Sequence, residues 1–143
     1  MFSKILARTA VAAAAAGLAL TASVGSASAS TSSPYVGYGY TNNPHAVWCV
    51  QHLANDIARD LGHGTVAEDG IWGNNTYNQV RWVQTELGPY EFGGVKVDGI
   101  VGPQTGYLLL NNGDEYYGGN NYCLGYVPST TNDMPPPGHV VLD

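Results

Sequence analysis

The side chains of this sequence able to do covalent or acid-base chemistry are few. Those in question are His45, His52, His63 and His139, five of the eleven carboxylates (Glu68, Glu86, Glu91, Asp69 and Asp98), and the cysteines Cys49 and Cys123. A zinc hydrolase needs histidines at close, regular spacing, and neither H-x-H nor H-E-x-x-H occurs. His45 and His52 are seven positions apart and can share a helix face, but no third ligand accompanies them. A serine nucleophile needs a His and an Asp beside it on rigid elements. Beyond Ala29, serine occurs only near the two ends of the chain. The glutamates could serve a glycosidase, but a domain this small has little room for the necessary cleft. Asp69 and Asp98 would form an acid and base pair only if something brought them together. The expectation is a non-catalytic protein with no metal and no cofactor.

Whatever positions these groups is encoded after Ala29. Lys4 and Arg8, an apolar run over residues 10–20 and the small-residue site Ala27-Ser28-Ala29 read as a signal peptide over residues 1–29. A membrane anchor is the alternative, and no later stretch is apolar enough to act as a stop-transfer segment. The remainder, Ser30 to Asp143, suits one small core and is too short for two independent domains. Only Arg59, Arg81 and Lys96 then face eleven carboxylates, a balance of −8 that repels nucleic acid and anionic lipid. In the oxidising compartment such a signal addresses, Cys49 and Cys123 are expected to form one disulfide.

Two segments nearly repeat each other: Asp69-Gly70-Ile71-Trp72-Gly73-Asn74-Asn75-Thr76 and Asp98-Gly99-Ile100-Val101-Gly102-Pro103-Gln104-Thr105. Both read D-G-I-x-G-x-x-T, with Asp98 taking the place of Asp69 in the second copy. The aspartate accepts a backbone N–H two residues on, and Gly70 and Gly99 tolerate positive φ. Ile71 and Ile100 can then point inward as plugs. Gly73 and Gly102 fall at helix N-caps, Pro103 suits the next position, and Thr76 and Thr105 lie in the first turn. Asp69 and Asp98 thus have structural roles near helix N-termini, where negative charge is favoured. Asn43-Pro44 starts an earlier helix, with Val47, Val50, Ala54, Ile57 and Leu61 in one stripe and Gly62 as its stop. Thr76, Val80, Val83 and Leu87 share the face of a second helix ended by Gly88-Pro89, and a third covers residues 104–110.

The fold class is therefore all-α, a three-helix bundle with two turn-helix repeats, extended arms at both ends and one disulfide. Residues 30–43 read as a loosely held Ser/Gly/Tyr-rich arm, and residues 44–127 as the domain with its disulfide-tied tail. Residues 128–143, with Pro135-Pro136-Pro137, read as a Pro-rich extended tail.

This pattern resembles the repeat of the bacterial peptidoglycan-binding domain family. The family's V-D-G-I-V-G-P-x-T is matched at every fixed position by residues 97–105. Its first turn is followed by Thr, Val, an apolar residue with Gln, and Gly, here Thr76, Val80, Val83-Gln84 and Gly88. The V-x-x-L-Q of its first helix corresponds to Val47-x-x-Val50-Gln51. The likeness covers about residues 46–111. Helix one is about a turn longer, and residues 89–94 lengthen the loop before the second turn. Family members usually accompany a wall-cleaving domain, which is not seen in these 143 residues.

The resemblance implies a secreted, cell-wall-associated protein that binds peptidoglycan through its glycan or stem peptide. Off the apolar stripes of their helices, Trp82 and Trp48 offer flat faces for a sugar ring, and Arg81 can pair with a stem-peptide carboxylate. Alternatively the tryptophans are covered by the tyrosine-rich arms; Cys49 brings the second arm near Trp48. Trp72, in the turn, is expected in the core. A second functional reading is an exported protein-interaction module on the same scaffold that has lost wall binding and offers its arms to another exported protein.

Overall fold

A computed structural model describes residues 33–40, 42–90, 94–119 and 121–129. The expected signal segment, the Pro-rich stretch, Glu91, Gly93 and His139 lie outside the described residues. Three helices form the fold: α1 (Pro44–Asp60), α2 (Asn74–Leu87) and α3 (Pro103–Asn112). No strand occurs among the described residues; an isolated bridge joins Val36 to Val101. The chain is all-α, with one disulfide between Cys49 and Cys123.

Local chemistry sets the helix ends. Asn43 Oδ1 accepts the His45 N–H at 2.8 Å, and Pro44 occupies the first helical position, where its missing N–H costs nothing. At the other end, His63 N donates to Ala58 O at 2.7 Å and Gly62 N to Arg59 O at 3.3 Å, closing the helix with Gly62 at φ +70°. Leu61 therefore stands outside the helix and is exposed, not the last member of the apolar stripe. Helix α3 runs on to Asn112 at its C-terminal end, past its expected span, and it begins on Pro103 with Gly102 as N-cap.

Helix α1 is central, packing against both α2 and α3. Val47, Val50, Leu53, Ala54 and Ile57 meet Val80, Val83 and Leu87 of α2 and the run Leu108-Leu109-Leu110 of α3 in one core. Three consecutive buried leucines mean that α3 is enclosed on more than one side. Its second cover is the segment 113–129, whose Cys123, Leu124 and Val127 are buried. That segment passes so close to α3 that a Cβ on Gly106 would collide with the Pro128 carbonyl. Pro128 and Ser129, assigned from sequence to the tail, are themselves buried.

The N-terminal arm is held more firmly than its composition suggests. Val36 is buried and exchanges backbone hydrogen bonds with Val101, N to O at 3.1 Å and 2.8 Å. Asn42 closes the arm on itself, accepting from Gly37 N at 2.8 Å and donating to Gly37 O at 3.1 Å. An apolar side chain in an otherwise polar stretch is enough to anchor it.

Candidate functional site

Each D-G-I turn is built around a buried glutamine from the preceding helix. Gln51 Nε2 reaches Asp69 Oδ1 at 3.0 Å, Ile71 O at 3.1 Å and Thr76 Oγ1 at 2.9 Å, while its Oε1 accepts Gly70 N at 2.9 Å. Gln84 Nε2 reaches Asp98 Oδ1 at 3.2 Å, Ile100 O at 3.0 Å and Thr105 Oγ1 at 3.0 Å, while its Oε1 accepts Gly99 N at 2.9 Å. Both aspartates also accept the N–H of the isoleucine two residues on, at 3.0 Å and 2.9 Å. Gly70 and Gly99 share φ +71°, a conformation in which a Cβ is strained. Asp69 is held below the usual carboxylate range by the Ile71 N–H and the Gln51 amide. Each aspartate is engaged through Oδ1 in its own turn, where it positions the backbone.

The turns differ in what lies over them. The arm crosses the second, with Gly37 against Ile100 and Tyr35 against Gly102. Among the described residues the arm makes no backbone bridge to the first, reaching it through Tyr38 beside Trp72, and Ile71 stays 69% exposed, not turned inward as a plug. Its N–H and carbonyl are both taken by the turn network, which directs the side chain outward. Trp72, the counterpart of Val101, is only partly buried, packing on the core with Tyr38 edge-on at 6.3 Å.

Beside the open turn lies a cleft of about 230 Å³ lined by Gln51, Asp69, Ile71, Asn74, Asn75 and Thr76. Val66, Ala67 and Asn75 are also walls of a second depression, of about 450 Å³, which adds His63, Thr65, Asn78 and Gln79. The two run together as one groove along the start of α2. At its far end His63 stacks face to face on Trp82, centroids 4.0 Å apart and planes 3° from parallel. Neutral amides and His63, whose ring is stacked on Trp82, line this groove, and Asp69 is its carboxylate. The groove can accept hydroxyl and amide hydrogen bonds and stack an apolar ring face.

The other sequence-selected residues lie elsewhere. Arg81 is exposed, its guanidinium over the Tyr77 ring at 5.7 Å, on the side of α2 facing the second turn. Trp48 is packed beneath the C-terminal segment, parallel to His52 at 4.8 Å with Tyr117 and Tyr122 edge-on at 5.2 Å and 6.3 Å. Trp82, Arg81 and Trp48 are thus not gathered into one site. The His63–Trp82 pair has no signal in linear spacing, since its members are on separate elements.

A second polar cluster escaped sequence reasoning. His52 Nδ1 is 2.8 Å from Glu68 Oε2, and its Nε2 is 2.9 Å from Asp114 Oδ2. Both partners are carboxylates, so the two contacts are satisfied together when both ring nitrogens carry a proton. Burial lowers the His52 pKa, but hydrogen bonds and charge from Glu68 and Asp114 outweigh it and raise the value above 6.5. Burial alone would raise Glu68; Asn55, His52 and Arg59 bring it below its usual range, and the His52 bond does the same for Asp114. In its protonated form His52 clamps α1 to the loops that carry Glu68 and Asp114. Asp56 nearby is pushed up by burial and by Asp60 and Asp114.

The sign of the pH dependence follows from these directions. A raised histidine contributes below 6.5 and loses its contribution as pH climbs through its folded pKa; the lowered carboxylates contribute above their usual values and fail in acid. Urea midpoints are therefore expected to be highest between about pH 5 and 6.5 and to fall on the alkaline side. His52→Gln should flatten that alkaline limb. A midpoint that climbs steadily through neutrality would contradict the clamp.

No family model, no curated protein and no solved structure matches this chain. Among the described residues, no group of His, Cys, Asp and Glu is arranged to hold a metal, and no helix is long and apolar enough to cross a membrane. A disulfide fits an oxidising compartment.

Proposed function

We propose that this protein is an exported, non-catalytic binder of bacterial cell-wall peptidoglycan that lays the glycan chain along the groove of the first turn. The observation that carries the reading is the uncovered groove of neutral amides ending at the His63–Trp82 stack, with Ile71 exposed at its other end. Sugars present hydroxyls and N-acetyl groups along their edges and C–H bonds on their faces, and amides and aromatic rings serve the two respectively. The matched hydrogen bonds around Gln51 and Gln84 support reading the two turn-helix units as one motif used twice. That in turn supports the peptidoglycan-binding resemblance.

The purified chain should co-sediment with insoluble peptidoglycan. Trp82→Ala should weaken retention by about tenfold, and Asn78→Ala, at an exposed position, should weaken it without touching the core. Retention equal to that on an unrelated insoluble polysaccharide, or insensitive to both substitutions, would remove the proposal. Loss of wall turbidity in the same tubes would mark a hydrolase. A protein-interaction module on the same scaffold is the second reading, favoured by Tyr116, 74% exposed on the C-terminal segment. Capture of an exported protein in a pull-down, without wall retention, would select it.

A further inference from the structure

We propose that the face around the second turn is a separate subsite that holds the carboxylate of a peptide attached to the glycan. This rests on the wall-binding reading above and adds the acidic part of the ligand to it.

Beyond Ala29 the cations Arg59, Arg81 and Lys96 stand against eleven carboxylates. Arg59 is engaged with Asp56 at 3.6 Å and Glu68 at 3.3 Å, on the far side of α1's C-terminal turn. The other two cations both flank the second turn. Arg81 lies alongside Gly99, where an added Cβ would come within 3.1 Å of its Cγ. No carboxylate pairs with its guanidinium among the described residues; the group rests on the Tyr77 ring, leaving its N–H edges available. Lys96 is 85% exposed and makes only a long contact, 3.7 Å, to Asp98. That contact is to Asp98 Oδ2, while Oδ1 is the oxygen taken by Gln84 and the Ile100 N–H.

A cleft of about 370 Å³ has Tyr35, Lys96, Asp98, Gln104 and Thr105 among its walls; Arg81, beside Gly99 of the same turn, is not one of them. The cleft is the counterpart of the first-turn cleft, one repeat further along the chain, but Lys96 stands where the first has Ala67, and the arm contributes Tyr35 as an aromatic wall. Tyr38 packs on Tyr77 at 5.4 Å and extends that aromatic surface. A guanidinium accepts a carboxylate in a forked, two-bond geometry, and a lysine supplies a second point of charge. On so acidic a chain, an anion meets net attraction here and repulsion over most of the remaining surface. One ligand engaging both turns would gain affinity from each through effective concentration.

The test is residue-resolved chemical-shift titration of the full chain without its signal segment. Two soluble probes are compared: the wall disaccharide bearing its stem peptide, and the same disaccharide without it. The peptide-bearing probe should shift amides at residues 99–105 and at Tyr38, and the bare disaccharide should not. Both probes should shift amides at residues 75–79 if the first-turn groove binds glycan. Arg81→Gln with Lys96→Gln should weaken the peptide-bearing probe about fivefold to tenfold and remove the second-turn shifts. Arg81→Lys should restore part of the affinity. Unmoved second-turn amides, or movement with either probe alike, overturns the carboxylate subsite. Unmoved first-turn amides overturn the glycan groove instead, whichever way the second turn responds.

Discussion

Replacing Gln84 by leucine is expected to cost about 3 to 5 kcal/mol of folding stability, measured as a shift in the urea midpoint. The side chain is fully buried and leucine fills nearly the same volume, so the cost is one of unpaired polar groups and not of a cavity. Three acceptors share the two hydrogens of its amide nitrogen: Asp98 Oδ1, Ile100 O and Thr105 Oγ1. The amide oxygen accepts from Asp98 N at 3.1 Å and Gly99 N at 2.9 Å. Leucine removes all five bonds at once, leaving Asp98 Oδ1 with the Ile100 N–H alone. Gln84→Glu should be as damaging at neutral pH, because a carboxylate cannot donate to Asp98 and adds a like charge beside it. Its damage should lessen in acid, where the glutamate becomes a donor again. Gln51→Leu should behave similarly at the first turn, with four bonds lost. A loss below about 1 kcal/mol at Gln84 would mean that the network is incidental to the turn.

The helices and their starts were legible because each is written locally. Asn43-Pro44, Gly73 and Gly102-Pro103 mark first turns, and the Val47 and Val80 stripes mark inner faces; all need only neighbours within a few residues. The glutamine hubs were half legible. Val-x-x-Val-Gln precedes each D-G-I turn, at Val47 and Val80, but the link between glutamine and turn spans 18 residues in one case and 14 in the other. Ile71 departs from its expected place because apolar character argues for burial, whereas its backbone bonds to Asp69 and Gln51 dictate where its side chain points.

Contacts between distant segments were not legible. The clamp at His52 joins residues 16 and 62 positions away, and the stack of His63 on Trp82 joins a loop to a helix. Nothing in the spacing of lone histidines distinguishes these from surface residues. Gly106 is a similar case. A glycine inside a helix reads as a weak spot, and only the passage of Pro128 over it explains the choice. The groove itself arises from a broken symmetry: the arm, anchored by Val36 on Val101, covers one turn and leaves the other open. A repeat seen in sequence predicts two equal turns, whereas a binding surface depends on the difference between them.

Breaking the Cys49–Cys123 bond is expected to remove up to about 4 to 5 kcal/mol, since the closed loop is long and its unfolded ensemble is strongly restricted by the crosslink. The two residues are 74 apart in sequence, and both sulfur-bearing side chains are buried. A domain of this size has a total stability of about 5 to 10 kcal/mol, so the double variant Cys49→Ser, Cys123→Ser should fold only marginally at about 37 °C. The loss should begin at one place. Segment 113–129 covers α3 and packs Tyr117 and Tyr122 on Trp48, so its release should expose Trp48 and shift tryptophan emission to the red. It should also pull Asp114 away from His52, and the alkaline decline in stability should then weaken in parallel. Helix α1 still meets α2 through Val47, Val50, Val80 and Val83, so much of the helical circular dichroism should outlast the red shift at low denaturant. If emission and dichroism instead change together at every denaturant concentration, segment 113–129 and the helices form one cooperative unit. A midpoint unmoved by reduction would mean that the packing of Leu124 and Val127 holds the segment without the crosslink.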